Sequence, residues 1–194
     1  MPAPILLNVG DLKQWFYCPR VVFYHRFTPS AGVPTAKMKL ALDAQAQIEA
    51  LEARRSLKPY GLDEAQRIFN PWLSSDAVGL QGRPDLILEA SNSIAVVDFK
   101  LTSGEVTDNL AAQLTAYSMI AEDIYKKPAP LGFIYRIPDS AVLPVEITPA
   151  RRTSIQAAST AIFAMLEAEA LPEPTPFRKR CEDCEYANFC GDIW

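Results

Sequence analysis

Apolar and polar residues follow two different periods along this chain, and the changes of period mark its elements. Residues 8–27 (NVGDLKQWFYCPRVVFYHRF) set aromatic and basic side chains at helical spacing, which predicts a helix with Asp11 near its start as a cap. Pro29 and Pro34 bracket a loop. Residues 35–57 are built largely of Ala, Leu, Gln, Glu and Lys with no breaker, which predicts a long helix. Residues 77–90 (AVGLQGRPDLILEA) and 93–101 (SIAVVDFKL) read as strands joined by a short turn at Ser91 and Asn92. The second is apolar on both faces, the pattern of a buried central strand. A helix follows at 107–126, capped at Thr107 or Asp108, then strands at 131–137 and 142–148. Residues 149–170 predict another long helix with Pro149 in its first turn. Pro172, Pro174 and Pro176 exclude helix from 171–180, so this stretch delivers the chain in extended form to its last segment.

With 194 residues, 49% of them hydrophobic, the chain has enough material for one domain with a sizeable core, with or without a small cap. Its net charge of −4 argues against wholesale electrostatic capture of nucleic acid. A local basic groove is still open, with Arg54–Arg55, Arg151–Arg152 and Arg178–Lys179–Arg180 as candidates; each alone reads as a solvated face before it reads as a phosphate contact. The first residues lack a basic segment followed by an apolar run, and no stretch approaches the ~20 apolar residues of a membrane span. The expectation is a cytoplasmic protein with no membrane partner, in which thiols stay reduced.

That expectation gives weight to the cysteines. Cys18, followed by Pro19, stands alone near one end, and Cys181, Cys184 and Cys190 cluster near the other. Structural zinc usually takes two C-x-x-C knuckles, and only one exists here. An asymmetric set of one plus three, with a proline behind a cysteine, fits a cubane iron–sulfur cluster at least as well. Unligated thiols are the third reading, and a redox C-x-x-C would want a strand-to-helix context. Either metal reading staples the two ends of the chain together.

The strand 93–101 carries Asp98 and Lys100 two positions apart, hence on one face, with Phe99 on the other. A turn centred between Ser91 and Asn92 sets Asp85 directly opposite Asp98. Facing carboxylates repel across a ladder unless a cation separates them, and two carboxylates with water suit Mg²⁺ or Mn²⁺. Lys100 is then placed to orient a water or to stabilise charge on a phosphate. The competing reading is an exposed hairpin with solvated aspartates, which the apolar run before Asp98 argues against. Gln113 and Tyr117 lie one helical turn apart on a shared face, suited to support Lys100 or a nucleic-acid backbone, or simply to fill a core. His25, the sole histidine, reads as a surface or groove residue.

Taken together, GRPD, DFK, QLTAY and the one-plus-three cysteines resemble the RecB-like branch of the PD-(D/E)xK nucleases. Within it they are similar to the small CRISPR-associated exonuclease family, the fourth Cas protein. The resemblance implies an α/β fold, a RecB-like core with a central mixed sheet flanked by helices. It also implies a small helical iron–sulfur subdomain formed by residues 1–35 and 172–194 around a core of 36–171. It implies a 4Fe-4S cluster on Cys18, Cys181, Cys184 and Cys190. Mg²⁺ or Mn²⁺ is expected on Asp85, Asp98 and the backbone carbonyl of Phe99, with Lys100 as catalytic lysine and Gln113 and Tyr117 beside the site. The implied function is a DNA exonuclease of CRISPR adaptation, trimming single-stranded ends of prespacers alongside the CRISPR integrase and its partner subunit. One position departs from the pattern: Gln45 stands where the family carries a metal-binding histidine, and an amide oxygen is the weaker ligand. The alternative is therefore a nuclease-attenuated iron–sulfur DNA-binding subunit of the integrase complex.

Overall fold

The computed structural model describes residues 5–28, 48–101 and 104–191. The chain opens with a short strand, β1 (Leu7–Asn8), and two helices, α1 (Val9–Tyr17) and α2 (Pro19–Phe27). The single helix expected over 8–27 is thus two. The Pro19 ring excludes the helical conformation from the residue before it, and Cys18 lies extended at φ −162° and ψ 120°. Pro19 then starts α2 at a position whose N–H has no helical partner in any case. Asp11 is not a cap. It is buried and ion-paired with Arg26, which braces α1 against α2. Of the helix expected over 35–57, residues 48–52 are described and helical, and Gln45 lies outside the described residues.

Four short strands come next: β2 (Gln66–Phe69), β3 (Leu73–Ser75), β4 (Leu80–Gly82) and β5 (Leu86–Glu89). β2 pairs with β5 and β3 with β4 in one continuous register, Phe69 opposite Leu86 and Leu73 opposite Gly82. They form a single long hairpin, bent in the middle. The bend falls where Pro71 and Pro84 oppose each other, because neither can donate to a ladder. The strand expected over 77–90 is accordingly two strands in two sheets, and 58–76, where no element is predicted, supplies β2 and β3. The tip half of the hairpin joins β1 in a three-stranded mixed sheet, β1-β4-β3.

The base half joins a five-stranded mixed sheet ordered β2-β5-β6-β7-β8, completed by β6 (Ile94–Lys100), β7 (Leu131–Arg136) and β8 (Ala141–Glu146). Helix α3 (Asp108–Tyr125) links the parallel pair β6 and β7, and α4 (Pro149–Ala168) follows β8. β6 is buried on both sides, as its composition predicts. Ile94 and Val96 pack with Leu114, Ile120 and Ile155 on the helix face. Ala95, Val97 and Phe99 pack with Leu86, Phe133 and Tyr60 on the other. Each buried Ile, Leu, Val or Phe among them contributes roughly 1.5–3 kcal/mol. Asp98 continues the parity of Ile94 and Val96, so it faces α1 and α3.

After α4 the proline-rich stretch returns the chain to α1. There the Tyr17 hydroxyl donates to the Arg180 carbonyl at 2.6 Å, and Arg180 Nη1 donates to the carbonyls of Phe16 and Tyr17 at 3.0 and 2.6 Å. The Arg180 guanidinium also lies over the Tyr17 and Phe177 rings. One arginine of each of the other two basic runs is likewise engaged internally. Arg152 grips Glu122 with both terminal nitrogens, and Arg55 pairs with Glu52 while covering Tyr135. A short helix, α5 (Ala187–Cys190), closes the described chain. No helix among the described residues is long and apolar enough to cross a membrane.

Candidate functional site

The hairpin of β5 and β6 has the register read from its turn: Leu86 faces Val97, Glu89 faces Ile94, and the Ala90 N–H donates to the Ser93 carbonyl. One step beyond Leu86 and Val97, Asp85 stands opposite Asp98. The Phe99 N–H donates to Asp85 Oδ2 at 2.7 Å. Lys100 Nζ closes on Asp98 Oδ2 as an ion pair, in a position where Asp98 is only 3% exposed. Burial, and next the charge of Asp98, push the Asp85 carboxyl up to about 6, with Lys100, the Phe99 N–H and Lys13 pulling the other way.

The Phe99 carbonyl has its own place in this arrangement. The Ile137 N–H donates to the Lys100 carbonyl, so the backbone polar groups of Lys100 point to β7 and those of Phe99 point to β5. Opposite Phe99 on that side stands Pro84, which has no N–H to give. The proline of the GRPD stretch therefore leaves the Phe99 carbonyl without a ladder donor from β5, directly beside Asp85.

Two helices complete the surroundings. From α3, the Tyr117 hydroxyl donates to the Arg83 carbonyl at 3.2 Å and also bonds the Gln113 side chain. Burial, then Asp98 and Asp85, push the Tyr117 phenol up to about 12. Gln113 Oε1 is buried without a partner among the described residues. The Tyr117 ring can lie this close because residue 82 is glycine: a Cβ there would stand 2.9 Å from the ring. From α1 comes Lys13, which the sequence reading does not single out. Burial, then Lys100, lower its pKa, while Asp98 and Asp85 act to raise it. An open groove of about 650 Å³ begins here, between α1 and the first turn of α3, and runs toward the cysteines.

The four cysteines come from the two chain ends and line one cavity, together with Tyr17, Arg20, Tyr24 and Tyr186. None of the four forms a disulfide. Arg20 Nη1 donates to Cys190 Sγ at 3.5 Å, and Tyr24 also bonds this sulfur. Burial pushes the Cys184 thiol up, offset in part by the Tyr186 N–H. His25 pairs with Glu185 at 3.1 Å on the cysteine side of the molecule. Among the described residues, no three His, Cys, Asp or Glu side chains are gathered so as to hold a single metal ion.

A mixed sheet whose buried strand carries D-x-K, opposed by the aspartate of a P-D pair on its neighbour, defines the PD-(D/E)xK class of nuclease folds. A family profile described as the PD-(D/E)XK nuclease superfamily matches residues 16–191, and the chain belongs to that superfamily. Within it, the chain is similar to the CRISPR-associated exonuclease Cas4 of Francisella tularensis subsp. novicida, 26% identical over 186 residues that cover 96% of this chain and 94% of the relative. It is likewise similar to the CRISPR-associated exonuclease Cas4 of Aeropyrum pernix, 27% identical over 192 residues, covering 94% and 93%. The crystal structure of SSO0001 shares the fold with a TM-score of 0.62 at 18% identity, covering all (100%) of this chain and 89% of that one. An alkaline exonuclease (LHK-Exo) from Laribacter hongkongensis does so with a TM-score of 0.54 at 13% identity, covering 86% and 90%.

Proposed function

We propose that this protein is a Mg²⁺- or Mn²⁺-dependent DNA exonuclease of CRISPR adaptation, acting in the cytoplasm on single-stranded prespacer ends with the integrase and its partner subunit. The observation that carries the reading is the opposed pair Asp85 and Asp98 with Lys100 on the same face, in a chain similar over nearly its whole length to CRISPR-associated exonucleases. The donor set suits a hard divalent cation: two carboxylates, one raised toward neutrality, and a backbone carbonyl with no ladder donor opposite it. Asp85, Asp98 and the Phe99 carbonyl would hold the cation, which supplies Lewis-acid activation of a phosphodiester and its attacking water. Lys100 then stabilises charge at the phosphate, and the unpartnered Gln113 Oε1 accepts a hydrogen bond from a bound water and so orients it.

The cysteine cavity is read as the seat of a 4Fe-4S cluster, in a lobe of residues 1–35 and 172–194 attached to a core of 36–171. Four thiols around a shared cavity, only two of them in a C-x-x-C knuckle, suit an iron–sulfur cluster at least as well as a single zinc. The test of the whole reading is a cleavage assay with Mn²⁺ on DNA carrying 5′ or 3′ single-stranded tails. No cutting by iron-replete protein would leave the attenuated DNA-binding subunit as the function.

Two substitutions probe the metal ligands. Pro84→Ala restores an N–H opposite Phe99, and the carbonyl then has a ladder donor that competes with the cation. Mn²⁺ affinity measured by calorimetry is expected to fall about fivefold, the equivalent of one backbone hydrogen bond of ~1 kcal/mol. Gln45→His is expected to raise Mn²⁺ affinity about tenfold, or ~1.4 kcal/mol, and to raise cleavage with it. An unchanged titration would remove residue 45 from the site.

A further inference from the structure

Lys13 has no part in the ligand set, yet it shares the space of Asp85, Asp98 and Lys100 from a different element. It also lines the groove that leads away from them, together with Lys100, Thr107, Asn109 and, farther on, Tyr17 and Arg180. We propose that Lys13 is a substrate-contacting residue, whose ammonium holds a backbone phosphate of a DNA single strand lying in this groove next to the bond that is cut. The inference rests on the nuclease reading above and adds to it the path of the strand.

Charge balance carries the argument. Two carboxylates and two ammoniums, Lys13 and Lys100, cancel each other. With a divalent cation on the aspartates, the site holds an excess of two positive charges. A phosphodiester and an attacking hydroxide bring two negative ones. Removing Lys13 leaves that complement one short. Among the described residues Lys13 makes no ion pair with the aspartates and only feels their charge, and once they bind a cation its own charge is left to the groove. The groove as a whole is not basic, because Glu105, Asp183 and Glu185 line it as well. Arg180 has its guanidinium committed to the carbonyls of Phe16 and Tyr17. The phosphate contacts are thus concentrated at the Lys13 and Lys100 end.

The experiment measures binding of a fluorescently labelled single-stranded DNA across a salt series, with EDTA and with Ca²⁺, together with steady-state Mn²⁺-dependent cleavage. Removing one phosphate contact lowers the slope of log affinity against log salt by about 0.7 for a single strand. Lys13→Gln is expected to show that loss in Ca²⁺, and a KM raised about tenfold with kcat held within about threefold. Lys13→Arg keeps the slope and restores KM. If the wild-type protein binds and cuts while Lys13→Gln keeps its salt slope and KM, Lys13 is only a counter-charge and this inference fails alone. A fall in kcat with unchanged slope, not rescued by Lys13→Arg, also overturns it. If the wild-type protein neither binds nor cuts single strands, the nuclease reading fails as well.

Discussion

Replacing Asp85 with asparagine is expected to abolish Mn²⁺-dependent DNA cleavage and, in the same protein stripped of metal, to raise thermal stability at about pH 8. On the proposed function, the first effect follows from losing one of the two proposed carboxylate ligands, a drop in cleavage on the order of a thousandfold. The second follows from the direction of the Asp85 shift. Its carboxyl is held at about 6 in the fold, through burial first and Asp98 second, above the ordinary carboxylate value. A raised carboxyl stabilises the metal-free fold while it is protonated, and that contribution is lost as pH rises through about 6. Asparagine mimics the protonated state and still accepts the Phe99 N–H. The metal-free variant should gain about 1–3 kcal/mol near pH 8, with the difference vanishing near pH 4. Calorimetric melting at the two pH values checks this, and a variant that melts below wild type at both would remove the repulsion argument. Asp98→Asn should behave differently, because it strips Lys100 of its partner at a buried position and so costs stability.

Cys18→Ala is expected to lose all bound iron and to lower the melting temperature by roughly 10 °C, while leaving the secondary structure of the core in place. Cys18 is the one cysteine contributed by the N-terminal segment, so without it the proposed cluster would no longer bridge the two ends. A cross-link that closes so long a loop is worth about 4 kcal/mol, and a chain of this size loses about 2–4 °C for each of them. The core should persist because Arg180 and Tyr17 join the same segments by hydrogen bonds that involve no sulfur. Iron analysis and circular dichroism of the purified variant decide the matter. Full iron content in Cys18→Ala would exclude it as a ligand.

The placement of Asp85 opposite Asp98 was legible because two local facts determine it: a two-residue turn and the period of the strand. The same is true of the buried β6, whose apolar run has no polar face to offer solvent. Two features were not legible, and a third was legible only in part. The hairpin bend between two sheets depends on Pro71 meeting Pro84, and β2 and β3 are too short and too mixed in polarity to show a period. The break at Cys18 was within reach of the sequence, since a residue before proline avoids the helical region, but the aromatic spacing continues across it and conceals it. Lys13 gave no local sign at all. In isolation, DLKQW is one turn of an amphipathic helix, and only the packing of α1 against α3 brings its ammonium beside carboxylates on a strand far along the chain.

The clasp at Arg180 also fixes an order of events during folding. Tyr17 and Arg180 are 163 residues apart, whereas the bent hairpin and the turn at Ser91 and Asn92 close over short stretches. Local closures are fast, and long ones wait until the intervening chain has condensed. On a ribosome, the hairpin, β6, α3 and β7 have all emerged before Arg180 is made. The carboxylate pair is therefore assembled early, and the cysteine cavity closes last, over a core that is already folded.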